Sequence, residues 1–181
     1  SVEYEKRLKE FIQAGGKILP RSLFEQVELY KILVNKLSKK DLGSFDVIHA
    51  HDWLCFPAGV AIKEKTGKPL VVHVHATEFD RSGGNGVNQM VYDKEREGMH
   101  KADKVITVSE FTKKIVVDHY GIDASKVSVV HNGNTSIADV ESTRLLPLMR
   151  FKHDGKKVIL YAGRLTIQKG VDYFVRAARK V

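Results

Sequence analysis

Arg164 and Lys169 bracket one loop, Gly163-Arg164-Leu165-Thr166-Ile167-Gln168-Lys169-Gly170, and two cations five positions apart suit a diphosphate. The apolar run Val158-Ile159-Leu160-Tyr161-Ala162 enters this loop and a helical pattern leaves it. A helix N-terminus offers free N–H groups and the positive end of its dipole to an anion. A guanidinium grips phosphate oxygens as a fork, and an ammonium adds a point charge. Taken alone, the same loop also reads as a solvated charged turn. His75 ends another apolar run, Leu70-Val71-Val72-His73-Val74-His75. An imidazole there serves either to bind a sugar hydroxyl or stabilise charge, or to bond backbone. His73, deeper in the run, is expected to be structural. Asp52 and Trp53 either hold a sugar by hydrogen bonding and apolar contact, or pair a helix-capping carboxylate with a core ring. His49, His51 and His75 near Asp52 have metal-ligand chemistry. They lack helical i, i+4 spacing and a supporting carboxylate cluster, so no metal is expected.

These residues depend on the elements that carry them. Short apolar runs over 47–50, 70–75, 105–108, 127–130 and 158–162 read as strands. Helical patterns over 4–12, 23–37, 56–66, 88–101, 109–120 and 168–180 alternate with them. Ser22 with Glu25 reads as a capping box, and Gly67 and Gly121 as helix stops. Strands alternating with helices predict an α/β fold: a Rossmann-like parallel sheet with helices on both faces. Ligands of such sheets sit beyond the carboxyl ends of the strands. That rule selects Asp52, Trp53, His75, Ser109, Asn132 and Gly163 with Arg164. Arg81-Ser82-Gly83-Gly84-Asn85-Gly86 lacks the Lys-Ser/Thr of a phosphate loop and reads as a surface loop near the acceptor.

The 181 residues are 43% hydrophobic and 29% charged, the profile of a globular chain, with a net charge of +8. The excess favours anionic partners, although a solvated lysine-rich surface accounts for most of it. The single cysteine, Cys55, excludes an internal disulfide and fits a cytoplasmic setting. No apolar run approaches the roughly twenty residues of a membrane span. Neither a hydrolase nucleophile elbow nor a dinucleotide fingerprint occurs. Aromatic residues are not interleaved with a basic stripe, so no nucleic-acid partner is expected.

In order along the chain, Phe45-Asp46-Val47-Ile48-His49-Ala50-His51-Asp52-Trp53, Val71-Val72-His73-Val74-His75, Val105-Ile106-Thr107-Val108-Ser109-Glu110, Val130-His131-Asn132-Gly133 and the 163–170 loop resemble segments of the retaining GT-B glycosyltransferases of family four, the group of glycogen and sucrose-phosphate synthases. The resemblance spans residues 45–181. It implies two Rossmann-like domains around a cleft and transfer of a hexose, glucose foremost, from a nucleotide-diphosphate sugar such as UDP- or ADP-glucose. Transfer would proceed with retention, to a glycan or small sugar, without cofactor or essential metal. By position, Arg164 and Lys169 imply a pair neutralising the diphosphate leaving group, His75 a contact to the donor sugar, and Asp52 a residue of the sugar cleft. The implied boundaries are 1–140 for a partial acceptor-side domain, 141–156 for a connection, and 157–181 for the first strand and helix of the donor domain.

Departures matter too. The family's first strand and glycine-rich acceptor loop are expected before Ser1, its two-glutamate motif after Val181, and an aspartate soon after Asn132-Gly133, where Asn134 and Thr135 stand instead. The expectation is therefore a segment with weak or no turnover by itself. The alternative is a non-catalytic α/β folding unit or self-assembling scaffold. Self-association through a sheet edge or a terminal swap is expected, and a membrane-surface association less so.

Overall fold

The computed structural model describes residues 22–37, 43–133 and 157–180, with residues 6, 10 and 13–15. Apart from residues 6 and 10, which are helical, the expected helix over 4–12 lies outside the described residues, as does the expected connection over 141–156. Helix α1 spans Leu23–Leu37. Strand β1, Ile48–His51, runs directly into α2, Asp52–Thr66. Strand β2 is Leu70–Val74; a one-turn helix α3, Glu78–Arg81, and the longer α4, Gln89–Lys101, follow. Strand β3, Lys104–Thr107, leads to α5, Glu110–Tyr120, then β4, Val127–Val129. Helix α6 is Val171–Ala178.

Local chemistry accounts for these bounds. Asn88 caps α4 by accepting from the Met90 and Val91 N–H groups, and Ser109 caps α5 by accepting from Thr112 N–H. Gly67 and Gly121 end α2 and α5 in the left-handed conformation, at φ 69° and 67°. Helix α2 starts four residues before the expected position. The left-handed backbone of Asp52 lets the helix begin directly at the end of β1, with Pro57 inside it.

The sheet is parallel, in the order β1-β2-β3-β4. Helix α2 packs on β1 and β2, α4 on β2, and α5 on β3 and β4, while α1 packs on α2. Side chains alternate between the two faces of each strand. Ala50, Leu70, Val72, Val74, Val105 and Val127 are buried in the core with Phe56, Met99, Val116 and Tyr120 of the helices. Right-handed crossovers between strands in sequential order carry α2, α4 and α5 to a single face. The other face shows His49, His51, His73, Ile106 and Ser128, half-buried or exposed. The expected second layer of helices is not among the described residues.

The α/β reading with a parallel sheet holds for these four strands. Residues 158–162 do not form the expected fifth strand. They make no ladder among the described residues, and Val158, Ile159 and Leu160 are exposed. Apolar β-branched composition supplies propensity, but a strand needs a neighbour to bond. None of the described helices is long and apolar enough to cross a membrane.

Candidate active site

Strands β1 and β2 end side by side, and the residues beyond them meet. Asp52 opens α2 with φ 56°, the one non-glycine residue in the left-handed region among the described residues. That conformation costs an L-residue about 1–2 kcal/mol, less for Asp than for most. It turns β1 into α2 without a loop, and the Asp52 carboxylate accepts the His75 backbone N–H at 2.8 Å. Asp52 is thus neither a side-chain helix cap nor a free carboxylate: it ties the end of β1 to the end of β2. His75 Nε2 lies 2.9 Å from His51 Nδ1.

The imidazoles of His49, His51, His73 and His75 form one cluster. Neighbouring ring centroids are 4.3 Å apart for His49–His51 and His73–His75, and 5.1 Å for His51–His73. Burial holds His49 and His73 below the ordinary imidazole value of 6.5, and the neighbouring imidazoles push the same way. Asp52 opposes this at His73.

A second network fixes the turn after His75. Thr77 and Asp80 form a capping box, with Thr77 N–H donating to Asp80 Oδ2 at 2.7 Å. Arg81 donates to the Ala76 carbonyl at 2.9 Å, to Glu78 at 3.2 Å, and to Glu95. Glu95 is only 2% exposed and also accepts from the Glu78 N–H at 3.0 Å and from the Tyr120 hydroxyl. Burial pushes the Glu95 carboxyl above its ordinary range, against the lowering effects of Tyr120 and Arg81. Burial and then the Glu95 charge push the Tyr120 phenol up, so it stays a donor. The backbone after His75 is thereby fastened to both α4 and α5.

The other expected residues divide. Ser109 Oγ accepts from Thr112 N–H at 3.1 Å and bonds Thr112 Oγ1 at 2.9 Å, so this hydroxyl is engaged in capping α5. Asn132 is exposed beyond β4, where His131 Nδ1 meets the Val108 carbonyl at 3.1 Å across the end of β3. Trp53 is 5% exposed, its ring centroid 5.6 Å from that of Phe24 on α1. Of its two readings, the structure gives the core ring.

The 163–170 segment turns as a loop. The Tyr161 hydroxyl donates to the Arg164 carbonyl at 2.9 Å, and a Cβ on Gly163 would lie 3.4 Å from that hydroxyl. Ile167–Lys169 is a turn of 3₁₀-helix, and Gly170, at φ 63°, passes the chain into α6. Arg164 and Lys169 are exposed and form no ion pair among the described residues. The 3₁₀ turn lies against α3, with Ile167 Cγ2 3.4 Å from where a Gly83 Cβ would stand. The segment therefore packs on the turn that follows His75. Beside that turn an open groove of about 590 Å³ runs between Phe79, Gly83, Gly84, Phe111 and Ile115.

Sequence reasoning missed Glu95 and its partners. The signal was available: Glu95 shares a helical face with the buried Val91, Gly98 and Met99, at spacings of four, three and four residues. A carboxylate on an apolar stripe calls for a buried cation or donor.

The chain matches the profile of Glycosyltransferase Family 4 over residues 3–134. It is 31% identical over 153 residues to an uncharacterized glycosyltransferase of Methanocaldococcus jannaschii, covering 81% of this chain and 39% of that one. It is 30% identical over 129 residues to a glycogen synthase of Mycobacterium tuberculosis, covering 70% and 30%. A D-inositol 3-phosphate glycosyltransferase of Acidothermus cellulolyticus is 30% identical over 146 residues, covering 77% and 32%. The chain spans between 30% and 39% of the length of these relatives.

Proposed function

This chain belongs to glycosyltransferase family 4, and from that premise we propose that it contributes part of the donor site of an enzyme moving a hexose from a nucleotide-diphosphate sugar to a sugar acceptor with retention. The reading rests on one observation: two cations without an ion pair among the described residues, Arg164 and Lys169, stand on a loop packed against the turn that follows His75. The departing diphosphate carries the charge that develops as the glycosidic bond to the donor breaks. Cations facing that charge lower the barrier electrostatically and need no metal. His75, held at its backbone by Asp52, contacts the donor sugar. The groove beside Phe79 and Phe111 offers ring faces of the kind that accept the apolar side of a sugar.

Calorimetric titration with UDP, UDP-glucose and ADP-glucose tests this. Binding by the chain should fall about 10- to 100-fold in Arg164→Ala and in Lys169→Ala, the loss of one charge-assisted hydrogen-bond donor in each. No binding of any of these ligands at millimolar concentration, or binding that ignores both substitutions, would overturn the assignment. It would leave a folding unit without donor chemistry.

A further inference from the structure

The face of the sheet opposite α2, α4 and α5 presents imidazoles where a parallel sheet ordinarily presents aliphatic side chains. His49 and His51 stand two residues apart on β1 and so point to the same side, and the ladder sets His51 beside His73 of β2. One ring nitrogen from each of His49, His51 and His73 lies within 4.8 Å of the other two. Both ring nitrogens of His73 are buried and have no hydrogen-bond partner. A buried polar atom in that state requires a reason, and a lone pair directed at a metal ion supplies one. Around a tetrahedral zinc ion, with metal–nitrogen distances of about 2.0–2.1 Å, ligand nitrogens lie roughly 3.4 Å apart. Small side-chain rotations on the fixed strands close the remaining gap.

The surroundings fit as well. A ligating histidine donates its second ring N–H to a neighbour, which fixes its tautomer. His51 has such a neighbour in His75 Nε2, at 2.9 Å. With its Nδ1–H donated there, His51 keeps Nε2 for a metal. The donor set is nitrogen alone: the converging group is His49, His51 and His73, with no carboxylate in it. Imidazoles suit zinc, nickel and copper, whereas magnesium and calcium require oxygen ligands.

We propose that His49, His51 and His73 form a three-imidazole site for a divalent transition-metal ion, zinc foremost, with water completing its shell. The His51–His75 contact couples this site to the donor residue proposed above. Metal on His51 makes its Nδ1 the donor and His75 Nε2 the acceptor, so the ion sets which His75 nitrogen carries the proton. The site itself does not depend on the donor-site reading, because it is read out by metal binding alone.

Titration of the whole 181-residue chain with Co²⁺, followed by visible absorption, tests it. One equivalent should bind and give the intense d–d bands of a four-coordinate ion. Losing an outer partner of a metal ligand costs 10–100-fold in affinity, so losing a ligand itself in His49→Gln or His73→Gln should cost at least about 100-fold. His100→Gln, distant from the cluster, should bind as the unsubstituted chain does. Far-UV circular dichroism confirms that the variants fold. Should they not, long-range ¹H–¹⁵N spectra of the unsubstituted chain decide: Zn²⁺ should shift the ring nitrogens of His49, His51 and His73 and spare His100 and His119. Absence of Co²⁺ binding at millimolar metal, undiminished binding by His49→Gln/His51→Gln/His73→Gln, or shifts confined to His100 and His119 would each overturn the proposal.

Discussion

Replacing Glu95 with alanine tests whether the buried network behind His75 holds that part of the fold. Three groups lose their acceptor: the Arg81 guanidinium, the Tyr120 hydroxyl and the Glu78 N–H. Breaking a buried ion pair by removing one partner costs about 3–5 kcal/mol. Arg81 is 28% exposed and keeps Glu78 as a partner, which moves the expectation to about 3 kcal/mol, the lower end of that range. With a urea slope of about 2 kcal/mol per molar, the midpoint should fall by about 1.5 M. The single tryptophan, Trp53, is buried beside Phe24, and its fluorescence reports the transition. Glu95→Gln keeps the shape and one acceptor oxygen, so it should cost only about 1 kcal/mol. The pH dependence carries a sign. Burial holds the Glu95 carboxyl above 4.5, so the folded state binds a proton more tightly than the unfolded one. The stability this contributes is present below 4.5 and is lost as pH rises through the folded value. The stability advantage of the unsubstituted chain over Glu95→Gln should therefore narrow as pH rises from 4.5. An alanine variant whose midpoint falls by less than about 0.5 M would refute the reasoning.

Gly98→Ala should destabilise, because the new Cβ would lie 2.6 Å from Phe56 Cβ and Cδ2. An overpacking cost of about 1–3 kcal/mol exceeds the gain of about 1 kcal/mol in helix propensity, and a rise in melting temperature would contradict it. Asp52→Ala should cost about 2 kcal/mol through the lost acceptor for His75 N–H and the left-handed backbone. Asp52→Asn keeps both features and should be nearly silent in urea denaturation; equal damage from the two substitutions would count against this account. The hydrogen bond from Lys63, and then that from the Leu70 N–H, hold Asp103 below 3.8. Its contribution is present above 3.8 and lost as pH falls through the folded value, so Asp103→Asn should be less stable at neutral pH and converge with the unsubstituted chain in acid. The difference is small because Asp103 is 47% exposed. A gap that persists at the acid end would disprove it.

What the sequence reveals follows the range of the interactions involved. Helices α1 and α5 were legible because apolar spacing, the Ser22–Glu25 pair and the stop at Gly121 act within a few residues. The four strands were legible from β-branched runs closed by turns. Residues 158–162 had the same composition, but a ladder partner is a distant property that composition does not carry. The His75–Asp52 pair illustrates the same divide. Both positions were singled out by lying just past a strand, but their hydrogen bond depends on the left-handed turn at Asp52. Leu, Ile or Val would strain at that φ, and aspartate hides the requirement because it is common at helix starts for other reasons. Trp53 was ambiguous since a ring after a strand serves a ligand or a core, and only the position of Phe24 decides between them.

The sequential strand order has a consequence for how this polypeptide is made. Among the described residues every ladder joins a strand to the one synthesised just before it. During translation, each emerging strand–helix unit of this sheet therefore meets the edge finished just before it. The partners lie 22 to 33 positions apart, as Ile48 with Leu70 and Val71 with Lys104, so each closure costs about the same chain entropy as the one before it. The growing edge is also the aggregation-prone edge, and it is only ever one unit old.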